Sequence, residues 1–372
     1  MSNWQRSTWV EIDLKALAGN VRRIKALLPE NVLMTAVVKA DAYGCGAIPA
    51  ARTALVNGAD RLAVAVLSEA IELREAGFTA PILILGFTED SAAVVRYDLT
   101  QTIYNREMAE SLNAAAQKQG KRVKVHVKLD TGMGRIGVQP KEAVQFIEQL
   151  ADLPFLTVEG MFTHFAVADE KDKTYTAEQF ALYSKVRTAL QQKGICPPCC
   201  HAANSAAVME LPDTYLDMVR PGVILYGMYP SEEVDKKRLA LEPVLSWKAR
   251  IVHIKEVEDG TSISYGRKYR AVGRRRIATL TLGYADGYSR LYFGKGEFLV
   301  HGVRVPLAGR VCMDQCMIDV TSVPEAEIGD EAVIIGSQGE ERITIEELSD
   351  KLGTINYEVS CMIRRRVPRI YK

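Results

Sequence analysis

Between about residues 14 and 230, short β-branched runs alternate with longer stretches of helical period, again and again, and this rhythm restricts the chain more than any other feature. A strand of four to eight residues followed by an amphipathic helix is the unit of a parallel sheet, because parallel neighbours need a crossover of that length. The candidate strands are 33–38, 62–66, 81–85, 100–103, 123–129, 156–163, 198–201 and 218–225. Eight such units in about 220 residues match the size of a (β/α)8 barrel, whose chemistry gathers where strands run into the following loops. Lys39, Asp130, His164, His201 and Arg220 all fall near such ends.

After Pro230 the texture changes. A charged connector, Ser231 to Arg238, leads into segments punctuated by Gly and Asp: 246–257, 276–282, 297–305 and 331–335. Only 344–351 reads as helix there, so a second, mostly-β domain is expected. The expected division is 1–235 for the barrel and 236–372 for the β domain, with the first residues able to join the latter.

Charge and hydropathy narrow the class of partner. The 47 Lys and Arg against 46 Asp and Glu leave a net charge of +1, so there is no broad electrostatic footprint for nucleic acid or anionic lipid. The basic runs Arg267 to Arg276 and Arg364 to Arg366 read as solvated faces or ion-pair partners. One of the longest stretches free of charge, Gly194 to Met209, contains two prolines, an asparagine and a histidine, and does not read as a membrane span. Arg6, Glu11 and Asp13 interrupt any apolar leader, which makes the cytoplasm the expected location.

Seven cysteines at irregular spacings do not form a secreted disulfide framework. Cys196-Pro-Pro-Cys199-Cys200-His201 has neither the histidine placement of a haem attachment site nor a second cysteine pair for zinc, so no metal is expected. Its thiols read as small buried hydrophobes.

Three segments carry chemistry. Val37-Val38-Lys39 ends an apolar strand with a cation and runs into Ala40-Asp41-Ala42-Tyr43-Gly44-Cys45-Gly46. A partly desolvated lysine at a barrel mouth can serve as a Schiff-base nucleophile and proton carrier, although the segment alone favours a strand-end lysine that snorkels to solvent. Lys128 to Gly137 contains a formal G-x-G-x-x-G from Gly132 to Gly137. A dinucleotide fingerprint should open a helix at its glycines, whereas Pro140 sets the helix start later. The glycines instead suit a tight loop that directs Arg135 at an anionic group. His201-Ala-Ala-Asn204-Ser205 and Arg220-Pro221-Gly222-Val223 place polar turns after strands, where backbone N–H groups and a hydroxyl can hold a phosphate, or where they are simply a helix cap and a turn.

Together with Ser264-Tyr265-Gly266, Leu282-Gly283-Tyr284-Ala285-Asp286-Gly287, Gly309-Arg310-Val311-Cys312-Met313-Asp314 and Ile355-Asn356-Tyr357-Glu358, these segments closely resemble the alanine racemase family of pyridoxal-phosphate enzymes. The resemblance runs in order from Trp9 to Tyr371. Cys45 departs from it, since members often carry histidine there.

The resemblance implies a cytoplasmic isomerase that interconverts L- and D-alanine and supplies D-alanine for peptidoglycan. Lys39 would carry pyridoxal 5'-phosphate as a Schiff base and act as one base. Tyr265 would be the second, linked through His164 to Arg220. Tyr43, Ser205, Gly222, Val223 and Tyr357 correspond to phosphate ligands, and Arg220 to the arginine facing the pyridine nitrogen. Arg135, braced by a carbamylated Lys128, corresponds to the residue holding the cofactor phenolic oxygen and the substrate carboxylate. Met313 would meet that carboxylate with its backbone N–H, while Tyr284 and Asp314 would border a narrow entrance. Because the family's counterparts of Tyr265 and Met313 reach a neighbouring subunit, a homodimer with shared sites is implied. Rival readings are another racemase or a decarboxylase on the same barrel, a noncatalytic cofactor carrier lacking the β domain, and a dinucleotide oxidoreductase.

Overall fold

The computed structural model describes residues 6–372. They form two compact units. One comprises Ala16–Ala42 and Ala47–Glu242; the other takes the described residues up to Lys15, Tyr43–Gly46 and Pro243–Lys372. In chain order, β1 (Thr8–Ile12) belongs to the second unit, and the first contains β2 (Leu33–Val37), β3 (Arg61–Val64), β4 (Ile82–Ile84), β5 (Thr100–Ile103), β6 (Val123–Lys128), β7 (Leu156–Phe162), β8 (Cys199–His201) and β9 (Met218–Val219).

These eight strands pair in parallel in the order β8-β7-β6-β5-β4-β3-β2-β9. Since β9 follows β8 in the chain yet lies beside β2, the sheet curls back on itself as a barrel. The seam is drawn together by Asp217 N–H donating to Cys200 O at 3.0 Å, by Cys200 N–H donating to Asp217 Oδ2 at 2.8 Å, and by Arg220 N–H donating to Ala203 O at 3.0 Å. Helices cover the strands for the reason the periodicity gives: Arg106–Lys118 buries Met108, Leu112 and Ala116 along one stripe, and Asn105 Oδ1 caps it by accepting from Met108 N at 2.9 Å.

The last barrel strand is shorter than expected. Only Met218–Val219 is strand, and the remainder of 218–225 is a turn at Arg220-Pro221-Gly222 followed by a 3-10 turn over Val223–Tyr226. Pro221 has no N–H to extend the ladder, so the β-branched composition of the run is overruled at that residue.

The second unit contains β10 (Leu245–Val257), β11 (Ser262–Ile263), β12 (Tyr269–Arg270), β13 (Arg275–Leu280), β14 (Glu297–Val300), β15 (Val303–Pro306), β16 (Cys316–Asp319), β17 (Glu331–Gln338), β18 (Glu341–Ile343) and β19 (Arg369–Tyr371). Its main sheet includes β1, which pairs antiparallel with β10 and parallel with β19. The run 297–305 is a hairpin rather than one strand: His301 and Gly302 have φ of 50° and 77°, the left-handed pair that reverses a two-residue turn. Asn356–Met362 is a helix that the sequence reading left out. Ile345–Leu352 begins with a capping box in which Thr344 Oγ1 accepts from Glu347 N at 3.1 Å and Thr344 N donates to Glu347 Oε1 at 3.2 Å. Glu347 also pairs with Arg304 of β15 at 2.9 Å, which fixes the helix to the sheet. Thr344→Ala is expected to lower stability by about 1 kcal/mol, measured by urea unfolding; an unchanged midpoint would show that the cap contributes nothing.

Candidate active site

In the barrel unit, Lys39, Asp130, His164 and Arg220 converge at one mouth, whereas the His201 ring lies in the packed core. Lys39 lies two residues beyond β2 and opens a turn in which Ala40, Asp41, Ala42 and Tyr43 have φ of 53°, 54°, 54° and 54°. Left-handed backbone costs about 1–2 kcal/mol per non-glycine residue, so this turn persists only because it is held. Glu69 Oε1 accepts from Ala40 N at 2.6 Å, and its Oε2 accepts from Ala65 N at 2.8 Å. Asp41 Oδ1 accepts from Ala47 N at 2.7 Å. Glu69 carried no motif and was not among the sequence candidates; its role depends on two strand ends becoming neighbours.

Lys128, the last residue of β6, is buried and donates from Nζ to Leu129 O at 2.6 Å. Burial, reinforced by Arg220, pulls its ammonium down to about 7, against which Asp130 acts only in part. His164 follows β7 and is pushed well below its usual range by burial and by four surrounding cations, Arg220, Lys128, Arg135 and Lys39. It is therefore a neutral imidazole at neutral pH. Arg220 is buried and its charge is met by carbonyls: Nη2 donates to Thr163 O at 2.8 Å and to Ala202 O at 3.0 Å, with His164 Nδ1 at 3.5 Å. Burial lowers its guanidinium to about 10, which still leaves it charged. Phe162 lies beneath both cations, 5.2 Å from Arg220 and 5.7 Å from Lys128.

The glycine run after β6 is a loop. Asp130 Oδ1 accepts from Gly132 N at 3.1 Å and Gly134 N at 3.0 Å, and the helix begins only at Pro140. At Gly137, with φ of 139°, a Cβ would lie 2.5 Å from Asp130 N, so glycine is required there. Arg135 projects from this loop as an exposed side chain. Across the mouth, Ser205 Oγ accepts from Gly222 N at 2.9 Å, and Asn204 Oδ1 accepts from Ala207 N at 3.1 Å. Both turns of the sequence reading are thus locally ordered, and Val223 starts the 3-10 turn beside them.

His126, Cys199 and His201 offer ligand atoms within 4.8 Å of one another. All four imidazole nitrogens are engaged in hydrogen bonds, however, and burial pushes the Cys199 thiol up to about 11. The group is a packed polar core with a protonated thiol. Cys200 is likewise pushed up to about 12, with Cys196 Sγ 3.8 Å from its sulfur.

The second unit groups a different set. Tyr43 and Tyr357 lie with ring centroids 6.1 Å apart, and burial together with Tyr357 raises the Tyr43 hydroxyl well above its usual range, so it stays protonated. Arg369 Nε donates to Gly44 O at 3.1 Å, and at Gly44 a Cβ would lie 2.5 Å from Ser360 O. Elsewhere in this unit, Tyr265, Met313 and Asp314 line an open depression of about 770 Å3 with Ser264 and Gln315. Tyr265 is 67% and Met313 54% exposed, unusual for large apolar side chains so close together. Tyr265 sits between β11 and β12, a ribbon anchored by a small core of Ile263, Ala271, Ile277 and Ala308. Beside the depression, Ala285 N donates to Met313 O at 3.0 Å and Tyr284 N to Cys312 O at 3.0 Å. A Cβ on Gly283 would lie 2.2 Å from Met313 O. The loop is tied by buried Asp286, which pairs with Arg6 at 2.5 Å and Arg366 at 2.8 Å, while Asp314 pairs with Arg366 at 2.6 Å. Asp286 was visible only as part of a motif, and its organising role needed the fold.

Residues 12–230 match the family model described as alanine racemase, N-terminal domain, and residues 244–371 match alanine racemase, C-terminal domain. Curated alanine racemases from Methanococcus maripaludis and Desulforamulus reducens are 48% and 51% identical, each aligned over 98% of this chain and 98% of its own length. Among solved structures, alanine racemase of Clostridium difficile 630 is 45% identical with a TM-score of 0.95, covering 98% of this chain and 95% of the other. The Bacillus anthracis alanine racemase with bound L-Ala-P is 41% identical with a TM-score of 0.94, covering 100% and 96%. The (β/α)8 barrel and β domain, the motifs in both and these full-length likenesses agree: the chain is an isomerase and belongs to the alanine racemase family.

Proposed function

We propose that the chain interconverts L- and D-alanine with pyridoxal 5'-phosphate, by two proton carriers on opposite faces of the substrate. The observation that carries this reading is the barrel mouth, where the basic side chains of Lys39, Lys128, Arg135 and Arg220 surround one neutral histidine. Such a donor set suits a group bearing a phosphate and a phenolate. Ser205 Oγ accepts from Gly222 N–H and keeps its own O–H to donate, which puts a neutral donor in a buried turn, as a phosphate site requires.

When bound through Lys39, pyridoxal phosphate supplies electron withdrawal from the substrate Cα, which makes that proton removable. The protein's residues supply the rest. Lys39 Nζ takes or returns the proton on the D face, and Tyr265 Oη does so on the L face. Arg220 has only N–H groups to offer, so it donates to the ring nitrogen without protonating it, and this restrains side reactions. Tyr43, Ser205, Tyr357 and the backbone of Gly222 and Val223 hold the phosphate. Arg135 and the Met313 N–H orient the substrate carboxylate, while Tyr284 and Asp314 restrict the entrance to a small side chain. Exposed Tyr265 and Met313 serve a second copy of the chain, giving a homodimer with shared sites. A cytoplasmic role feeding D-alanine into peptidoglycan fits this chemistry, and no helix among the described residues is long and apolar enough to cross a membrane.

Lys128 fits the proposed carbamate for a physical reason. With its amine near 7, a large fraction is neutral at neutral pH and can attack carbon dioxide, forming an N–C bond and releasing a proton. The resulting anion braces Arg135.

Three outcomes are expected. L-Alanine incubated with the cofactor-loaded protein should yield equal amounts of D- and L-alanine by chiral chromatography; persistence of the pure L form would end this reading. Tyr265→Phe should lower racemisation by roughly 10²–10⁴-fold, while solvent-deuterium exchange at Cα survives better from D-alanine than from L-alanine. Equal losses would sink the assignment of faces. With labelled bicarbonate, a carbon-13 carbamate signal should grow as pH rises through about 7, as the ammonium of Lys128 loses its proton, and be absent in Lys128→Ala.

A further inference from the structure

We infer that Glu159 is a positioning residue for Arg220, acting from the far side of the barrel core through His126 and His201. The observation is an unbroken line of side chains, buried at Arg220, His201 and His126 and partly buried at Glu159. Arg220 Nη1 lies 2.7 Å from His201 Nδ1, His201 Nε2 lies 2.8 Å from His126 Nδ1, and His126 Nε2 lies 3.1 Å from Glu159 Oε2. Glu159 is anchored in turn by Arg61 at 2.7 Å and Lys124 at 2.9 Å.

The chemistry of the end groups fixes every proton along the line. A guanidinium can only donate, so His201 Nδ1 is the acceptor and its proton sits on Nε2. That N–H points at His126 Nδ1, which must accept, so the proton of His126 sits on Nε2 and is given to the carboxylate. The result is a polarised wire with a cation at one end, a carboxylate at the other and two neutral imidazoles between them. Burial and neighbouring cations keep both rings neutral, and the carboxylate is held well below its usual range by His126, Arg61 and Lys124 against the cost of its burial.

The backbone is shaped for this line. In the pairing of β6 with β7, Val125 faces Val158 and His126 faces Gly160, so Glu159 is the extra residue of a bulge that re-aims its side chain. At Gly160, a Cβ would lie 2.5 Å from His126 Cε1 and Nδ1, so glycine leaves the space that the ring fills. Phe162 stacks on His201 with ring centroids 4.8 Å apart and planes 4° from parallel, fixing the second ring. Removing the carboxylate leaves His126 Nε2–H without its acceptor. If His126 moves its proton to Nδ1, His201 must follow, and an N–H then faces the Arg220 donors. Arg220 is displaced or loses a partner.

The inference rests on the reading that Arg220 lines the cofactor site, but its first test does not. Histidine- and arginine-selective nitrogen-15 labelling of the full-length, cofactor-loaded protein, which has 5 histidines, should show His126 and His201 as neutral Nε2–H tautomers around neutral pH. Glu159→Leu should mix or reverse those tautomers, shift the Arg220 side-chain signals and the visible cofactor band, and lower kcat by roughly tenfold or more with a smaller change in KM. Glu159→Gln, which keeps an oxygen acceptor, should preserve the tautomers and lie between the two in kcat. If the leucine variant does not fold, Gly160→Ala perturbs the same line by displacing the His126 ring. A wild-type His201 protonated at Nδ1, or variants with wild-type imidazole signals and kcat, would overturn the inference. Altered imidazole and Arg220 signals with unchanged kcat and visible band would uphold Glu159 as the anchor of Arg220 and instead remove Arg220 from the cofactor contact.

Discussion

A buried guanidinium governs the barrel of this protein. Arg220 follows the closing strand with its side chain out of water, where an uncompensated charge is among the costliest things a fold can contain. Among the described residues, no carboxylate pairs with it. Two main-chain carbonyls, Thr163 O and Ala202 O, take two of its donors, which requires the ends of β7 and β8 to lie where they do. The first line of compensation is thus the barrel's own strand ends, and the second is the His201–His126–Glu159 line that reaches a carboxylate through two neutral rings. Leaving Arg220 without a direct counter-ion keeps its positive field available at the mouth, where Lys128 and His164 register it as lowered proton affinity.

The second unit inverts the usual rule of burial. Tyr265 and Met313 stand exposed, yet each is held on well-supported backbone: the β11–β12 ribbon rests on its own apolar core, and the Met313 carbonyl is gripped by the loop that Asp286 ties. Rigid presentation of large apolar side chains to solvent is costly unless they are meant to meet something. A disordered pair of hydrophobes would read as a liability, whereas a fixed pair around a depression reads as a prepared surface.

Much of this was legible in the chain before any coordinates. The alternation of periods carried the barrel because each strand and helix is specified locally, by β-branching and by caps such as Asn105. The limits of legibility are equally physical. Met218 to Leu225 has the composition of a strand, but Pro221 withdraws one donor from the ladder and the element stops. Glu297 to Val305 looks continuous because a histidine in left-handed backbone carries no strong sequence signal, unlike the Gly302 that follows it. The short helix at Asn356–Met362 was hidden within a motif whose interest lay in Tyr357. Reactive side chains at strand ends stood out in the chain as candidates, while Glu69, Glu159 and Asp286 were given no role there. Each of these carboxylates acts by accepting hydrogen bonds from groups distant in sequence or brought near only by a turn, and no spacing rule encodes that.

The sequence by itself determined the order of elements, the two-part organisation, the family and the list of chemically capable residues, because periodicity and motif order are properties of the chain. Only the tertiary structure decided which of those residues share an environment. It made Lys128 a near-neutral amine and His164 a neutral imidazole, since both shifts arise from burial and from cations that reach the mouth on separate strands. It also decided the protons on His126 and His201, because a tautomer is fixed by what the other nitrogen faces, and that is set by the register of one strand against the next.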